Sequence, residues 1–383
     1  MAFDFLQPVN DEIVAFVATL SSQALGSKIV LHTADAFPQI AKAKIALVGV
    51  LDNRGIQYEN EVDLTSIRKE LYALFPGNWQ ATIVDLGDMP QGASQEDTYY
   101  AVAKITEELI KNKVVPIVIG GTQDVTYALY RGYDKLEQMV NVVAVDSKFD
   151  FGKQEIKNTA DSYLSKIILN EPNNLFNFAN LGYQTYFNSQ EEIDLIEKLY
   201  FEVYRLGEIT HNITIAEPVL RDADLVSIDM TSVKSSNSGS NNPFIPNGFN
   251  GKEICSLARY AGISDKVSSF GIFNHGSSAN EAVLISQIIW YFIEGFNFRS
   301  NEYPFSLKDS YLKYTVLVED DELVFYKSDK TDRWWIEIPF IINGNNKLKR
   351  NTLLPCMYED YLKACENEIP ERWWKAQRKN ILV

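Results

Sequence analysis

The stretch VVPIVIGGTQDVTYALY, residues 114–130, joins two kinds of structure across one glycine pair. Residues 114–119 form a short apolar run rich in β-branched side chains, which reads as a buried strand. Gly120-Gly121 stops that run, and the residues after it read as a helix. A strand, a glycine turn and a helix make the kind of corner where α/β enzymes put catalytic groups. This one carries Thr122, Gln123 and Asp124, and no His, Cys or Lys. Gly120-Gly121-Thr122 also reads as a tight turn with a helix cap, so the functional weight falls on Gln123 and Asp124.

Units of the same kind lie on either side. Strands are expected near 44–50, 81–86, 140–146, 180–184, 203–206, 225–229 and 267–273, besides 114–119. Amphipathic helical stretches, such as 95–112 and 189–201, fall between them. This alternation predicts a three-layer α/β fold with a mainly parallel eight-stranded sheet and helices on both faces, over residues 1–300. The segment 235–251, SSNSGSNNPFIPNGFNG, comes after the strand that ends at Asp229 and reads as a site cover. After residue 300 the character changes. YTVLVEDDELVFYKS predicts a β-hairpin turning around Glu319-Asp320-Asp321, and Trp334, Trp335, Trp373 and Trp374 fall in the C-terminal extension, 301–383. That extension is expected to pack against the main domain or a partner chain, with a dedicated aromatic binding surface as the alternative.

Composition narrows the function classes. A chain of 383 residues with 46% hydrophobic content builds a sizeable core, and its net charge of −15 argues against non-specific nucleic-acid binding. No 18-residue apolar stretch suggests a membrane span, and the first residues, MAFDFLQPVNDEIV, show neither the basic region nor the apolar run of a signal peptide. Cys255, Cys356 and Cys365 are scattered, without metal spacing, which fits a reduced, cytoplasmic setting. His32, His211 and His275 are the only histidines, so any metal or acid–base scheme has few imidazoles to use.

In open α/β sheets, ligands bind beyond the carboxyl ends of the strands. Those ends supply Gln123 and Asp124, then Asp146, Lys148 and Asp150, then Asp229 and Thr231, then Asn274 and His275. Residues two apart on an extended segment face the same way, so Asp146, Lys148 and Asp150 are expected to converge, with Asp229 opposite. Plainer roles stand beside these: Asp146 and Asp229 as helix caps, Lys148 in a solvated charge cluster, and His275 as a satisfied buried imidazole.

Three short motifs occur in order: GGTQD at 120–124, DSKFD at 146–150 and SIDMTSVKS at 227–235, with PNGFNGKEICSLARYAG after them. The series resembles the ureohydrolase family of arginases, agmatinases and formimidoylglutamases. Its pattern is Gly-Gly-Asp-His-Ser, then Asp-Ala-His-x-Asp, then Ser-x-Asp-x-Asp-x-x-Asp-Pro. The resemblance implies an arginase-like sheet and hydrolysis of a guanidino or formimino group by hydroxide bridging two manganese ions, held by two His and four Asp. Carried over, three ligand positions keep their carboxylates, Asp146, Asp150 and Asp229. Gln123, Lys148 and Thr231 replace the other three, and Asn274 stands where the family has a guanidinium-binding Glu. Glutamine is a poor ligand for Mn2+, and a protonated lysine has no lone pair. Without metal, like-charged carboxylates at ~4 Å repel by ~4 kcal/mol per pair at an effective dielectric of ~20, and Lys148 reads as a built-in cation offsetting that. The resemblance with these departures implies an altered or non-catalytic homologue, a pseudoenzyme without cofactor, whose acidic pocket binds a small cationic amidine or amine. One alternative is an active C–N hydrolase with Mn2+ on Asp146, Asp150 and Asp229, and His275 as a further ligand. Another is an interaction protein that works through the Trp-rich extension. A homo-oligomer is expected, with no nucleic-acid or membrane partner.

Overall fold

The structure, a computed structural model, describes residues 2–55, 63–152, 159–240, 243–302, 311–338 and 353–382. Nine parallel strands make the main sheet: β1 (Val30–Leu31), β2 (Ile45–Val50), β3 (Ile83–Met89), β4 (Val115–Ile119), β5 (Val140–Val145), β6 (Leu175–Tyr183), β7 (Glu202–Arg205), β8 (Leu225–Asp229) and β9 (Ser269–Phe273). Their order is β1-β3-β2-β4-β9-β8-β5-β6-β7. All eight expected strands are present. The ninth, β1, is a two-residue edge strand paired to β3 through Val30↔Val84 and Leu31↔Asp85, too short to leave a periodicity in the sequence.

Side-chain alternation along each strand sorts the core into two layers. Ile45, Leu47, Ile117, Val143, Ile228 and Ile272 face one layer, against the helices Leu64–Ala73, Gly251–Ile263 and Ala279–Asn297. Ala46, Val48, Val118, Val142, Ala144 and Leu225 face the other, against Gln95–Lys111, Val125–Arg131 and Tyr163–Leu169. Both faces of the sheet are thus dry, which is why the central strands read as unbroken apolar runs. Each fully buried aliphatic side chain contributes about 1.5–3 kcal/mol of transfer free energy.

The order of the strands positions the candidate residues. β4, β9, β8 and β5 are consecutive neighbours, so the segments leaving them share one patch of the sheet's carboxyl end. The Ser/Asn-rich segment folds back over the end of β8. Val233 bridges Phe249, and the Ser235 hydroxyl accepts from Ile245 N at 2.7 Å. Residues 241–242 lie outside the described residues.

A second, antiparallel sheet comes next: β10 (Tyr311–Val318), β11 (Asp321–Ser328), β12 (Trp334–Glu337) and β13 (Leu353–Cys356), in that order. β10 and β11 form the expected hairpin, with Glu319 in the left-handed region at φ 53°. Trp334, Trp335 and Trp373 are buried and Trp374 is exposed, so the extension packs rather than trails; residues 303–310 and 339–352 lie outside the described residues. It docks at the amino ends of β6, β7 and β8. There Arg372 Nε donates to Glu202 Oε2 at 2.5 Å, Lys379 Nζ donates to Asn177 Oδ1, and Arg221 Nη2 donates to Cys356 O at 3.1 Å. Among the described residues, no helix is long and apolar enough to cross a membrane.

Candidate functional site

The corner after β4 needs its glycines. Gly120 and Gly121 have φ of 91° and 78°, where a side chain is strained, and a Cβ on Gly121 would sit 2.9 Å from Val125 Cγ2. The turn buries Gln123 completely. Its backbone N donates to Asn274 Oδ1 at 3.0 Å, and its Nε2 donates to Ser227 Oγ at 3.0 Å. Its Oε1 is buried and makes no hydrogen bond. Asp124 is engaged elsewhere. It accepts from the Thr122 hydroxyl, the Tyr99 phenol, Thr159 Oγ1 at 2.7 Å and Gln95 Nε2 at 3.0 Å. It ties the corner to the helix Gln95–Lys111 and to residue 159, and so serves as an anchor.

Asp146, Asp150 and Asp229 come together: ligand oxygens of the three lie within 4.8 Å of one another, and all three residues are buried. The convergence depends on a left-handed turn at Asp150, φ 55°, rather than on extended alternation. Lys148 does not join the group. Lys148 N donates to Asp146 Oδ1 at 2.9 Å, but its ammonium donates to Asp161 Oδ1 at 3.2 Å. The two side chains of that pair are 43% and 42% exposed, so the ammonium stands at the rim and not among the carboxylates. Burial works to lower its proton affinity, but Asp161 and, behind it, Asp150, Asp146 and Asp229 raise it well above the ordinary lysine value.

Asp229 is held from two sides. Oδ1 accepts from Thr231 N at 2.7 Å, and Oδ2 accepts from Asn274 Nδ2 at 2.7 Å. Asp146 Oδ2 is buried and receives no N–H from the described residues, with the Asp150 side chain as a neighbor. Burial raises the proton affinity of all three carboxyls. The charge of Asp229 adds to it at Asp146, and those of Asp146 and Asp229 add to it at Asp150. His275 is bonded within its own turn: Nδ1 donates to Gly276 O at 3.0 Å, and Nε2 is buried without a hydrogen bond. Burial lowers its pKa, which keeps the imidazole neutral.

Three further residues belong to this region. Tyr163, in the helix Tyr163–Leu169, has a buried phenol within reach of the Gln123 side chain. Burial, then Asp150 and Asp146, push it well above the usual tyrosine range, while the Gln123 side chain pulls the other way. No motif marks it. Ser227, which receives the Gln123 amide, lies within 2.6 Å of Thr126 Oγ1; its signal is its place as the first residue of SIDMTSVKS. Glu281, in the first turn of the helix Ala279–Asn297, is buried and accepts from Gly276 N at 2.9 Å. Burial pushes its carboxyl up to about 7, with Asp229 adding to the shift. Its signal is only an acidic residue early in a helix.

Chemically, the center of this patch is rich in acceptors. Three carboxyls, the Gln123 carbonyl and the Tyr163 oxygen lie together, and Lys148, the cation in their field among the described residues, is turned toward Asp161. Such a set suits a guest that donates.

The family described as the arginase family matches residues 45–270 of the chain. No curated protein sequence matches it. Among solved structures, a formiminoglutamase from Trypanosoma cruzi with bound Mn2+ is similar at a TM-score of 0.63 and 16% identity, covering 69% of this chain and 97% of that one. The formimidoylglutamase of Bacillus subtilis gives 0.60 and 15%, covering 70% and 94%. The agmatine ureohydrolase of Thermoplasma volcanium gives 0.56 and 18%, covering 74% and 97%.

Proposed function

The chain belongs to the arginase family, and from that premise we propose that it is an altered ureohydrolase, one whose carboxylate group holds a small cationic amidine or amine in place of a two-manganese center. The observation that carries this reading is the donor set around Asp146, Asp150 and Asp229. Mn2+ takes carboxylate, carbonyl, imidazole or water ligands with free lone pairs. Gln123 offers one neutral amide oxygen in place of an imidazole, Lys148 keeps its proton and faces Asp161, and Thr231 brings a hydroxyl in place of a carboxylate. These positions do not fit a dinuclear site. An amidinium fits better. It is planar, carries one charge and presents several N–H donors. The buried Asp146 Oδ2 and Gln123 Oε1, without an N–H from the described residues, are acceptors of the kind it needs. A bound cation also favors the ionized carboxyls against the cost of burial.

The chemistry that manganese supplies in this family, activation of water toward hydroxide, has no substitute among these side chains. His275 is neutral and bonded within its own turn. We therefore expect neither urea nor formamide release from arginine, agmatine or formimidoylglutamate. A second reading has support from the trio itself, whose spacing is compatible with one metal ion: a C–N hydrolase with a single Mn2+ on Asp146, Asp150 and Asp229.

Metal analysis after purification with Mn2+, beside calorimetric titration with agmatine and guanidine, tests the proposal. The expected result is substoichiometric manganese and saturable guanidinium binding that Asp229→Asn abolishes. About one ion per chain with no amine binding favors the second reading. Two tightly held ions, or sustained urea or formamide release sensitive to Asp146→Asn, overturns the proposal.

A further inference from the structure

The main sheet has two ends, and the extension builds a cleft at the end opposite the carboxylates. The cleft holds about 770 Å³, a volume in the range that small-molecule sites occupy. One wall is aromatic and comes from the extension. Trp334 stacks on Tyr361 with ring centers 5.0 Å apart, and Tyr314 and Tyr358 stand 5.2 and 5.4 Å from Trp334. Tyr358 is 48% exposed, so it keeps a ring face free to receive a guest.

The floor comes from the helix Ala216–Arg221 of the main domain and is rich in guanidinium. Arg221 is only 3% exposed. Its plane lies 4.7 Å over Trp335, its Nη2 reaches Cys356 O, and its Nη1 is buried and makes no hydrogen bond. The Glu217 Oε1 atom lies 3.1 Å from Arg221 Nε and 3.6 Å from Arg333 Nε. One carboxylate thus serves two guanidiniums, which leaves a local positive excess at the buried floor. Consistent with that excess, Arg221 holds its proton less tightly than usual, burial being the main cause, with Glu217 opposing and Arg333 adding to it. The nearby Lys327 is matched by Asp332 at 2.7 Å, and Glu359, exposed at the rim, balances the lining as a whole, so the positive charge is confined to the floor.

Buried donors are normally bonded, and a buried charge costs heavily unless it is paired. Aromatic walls alone would also suit an organic cation, but at the floor two guanidiniums share one carboxylate and disfavor one there. We propose that this cleft is a second ligand site, for a flat aromatic ring carrying one anionic group, a carboxylate or a phosphate. The ring lies against Tyr358 and the Trp334–Tyr361 stack, and the anion meets Arg221 and Arg333. The site is independent of the carboxylate group, so either assignment can fail without the other.

The test uses the full chain, with naphthoate, naphthyl phosphate and the neutral naphthylmethanol as probes, monitored by tryptophan emission and ligand-observed NMR. Both anions should bind saturably, and the neutral probe about tenfold more weakly, the worth of one charge-assisted bond. The tighter of the two anions identifies the group. Arg333→Gln should remove the preference for anions, and Arg333→Lys should restore part of it, because lysine keeps the charge and loses the fork. Tyr358→Ala, a change at a half-exposed ring, should weaken all three probes by roughly fivefold. Melting temperatures near wild type certify that each variant is folded, and Tyr358→Ala decides the matter alone if neither Arg333 variant folds. Equal affinity for charged and neutral probes, unchanged affinity in the folded variants, or no saturable binding overturns the proposal.

Discussion

Asp124 and Lys148 are two charged residues of the same site with opposite energetic weight. The Asp124 carboxylate receives Thr122, Tyr99, Thr159 and Gln95 and is itself buried. Asp124→Ala strands several of those donors and should cost about 2–4 kcal/mol, since each unsatisfied buried donor costs about 1–3 kcal/mol and some of them rebond. Lys148 instead closes a half-exposed pair with Asp161, and such pairs contribute about 0–1 kcal/mol. Lys148→Met should therefore stay within about 1 kcal/mol of wild type in urea denaturation at pH 7. A loss as large as that of Asp124→Ala would mean that the ammonium holds the carboxylates together after all. The order and spacing of the motifs make Asp146, Asp150 and Asp229 legible as one group. The direction of Lys148 is not legible, because the segment after β5 is a turn, with Lys148 N on Asp146 Oδ1, and not the extended chain that would put residues two apart on one side. Tyr163 is hidden for another reason: it reaches the group from a separate helix, and only the fold brings the two together.

At the scale of elements, periodicity reads the strands well wherever both faces are apolar. It predicts β6 at 180–184, but the strand runs Leu175–Tyr183. Asn177 and Asn180 interrupt its apolar pattern, yet each is satisfied inside the fold: Asn177 Nδ2 donates to Glu202 Oε1 and Asn180 Nδ2 to Lys148 O, both at 2.8 Å. A bonded amide is admissible in a buried strand, but a reading of hydropathy cannot see the partner. β13 escapes the same reading because Pro355 argues against a strand. It sits at the edge of its sheet, opposite Trp335, where a missing N–H is tolerated. The helix Glu371–Leu382 carries a testable consequence. Lys379 is buried at the amino end of β6, and burial pulls its pKa down to about 8, with Glu202 opposing. The unfolded value is about 10.4. Between about 8 and 10.4 the folded chain binds fewer protons than the unfolded one, so stability rises with pH, by up to about 3 kcal/mol. Lys379→Met should remove that rise. Denaturation midpoints of the two proteins from pH 7.5 to 10 check it, and parallel curves would show that Lys379 does not titrate in this way.

For the whole molecule, the question is whether the extension from residue 301 onward folds with the main sheet or merely beside it. The Arg372–Glu202 pair is the sharpest probe, because its members lie 170 residues apart in sequence, with Glu202 buried and Arg372 largely so. Burial alone would raise the Glu202 carboxyl, but Arg372 and Lys379 outweigh it and hold it down to about 2. The sign is that of a depressed acid: the stabilization is complete above the unfolded value of about 4.3 and is lost as pH falls toward 2. Arg372→Met leaves Glu202 buried and unpaired, a loss of about 3–5 kcal/mol. Glu202→Gln leaves the guanidinium with Pro355 O and without its carboxylate. If the pair couples the two parts, the double variant should cost clearly less than the sum of the single ones, because removing both charges removes the unpaired one. Two probes then test cooperativity. Four of the six tryptophans lie in the extension, so emission reports mainly on it, while far-ultraviolet circular dichroism reports on the helices of the main domain. The expected outcome is one transition, coincident in both probes and shifted together in each variant. If emission shifts to lower denaturant in Arg372→Met while the dichroism midpoint stays in place, the extension unfolds by itself and residue 300 marks an energetic boundary as well as a change of sheet.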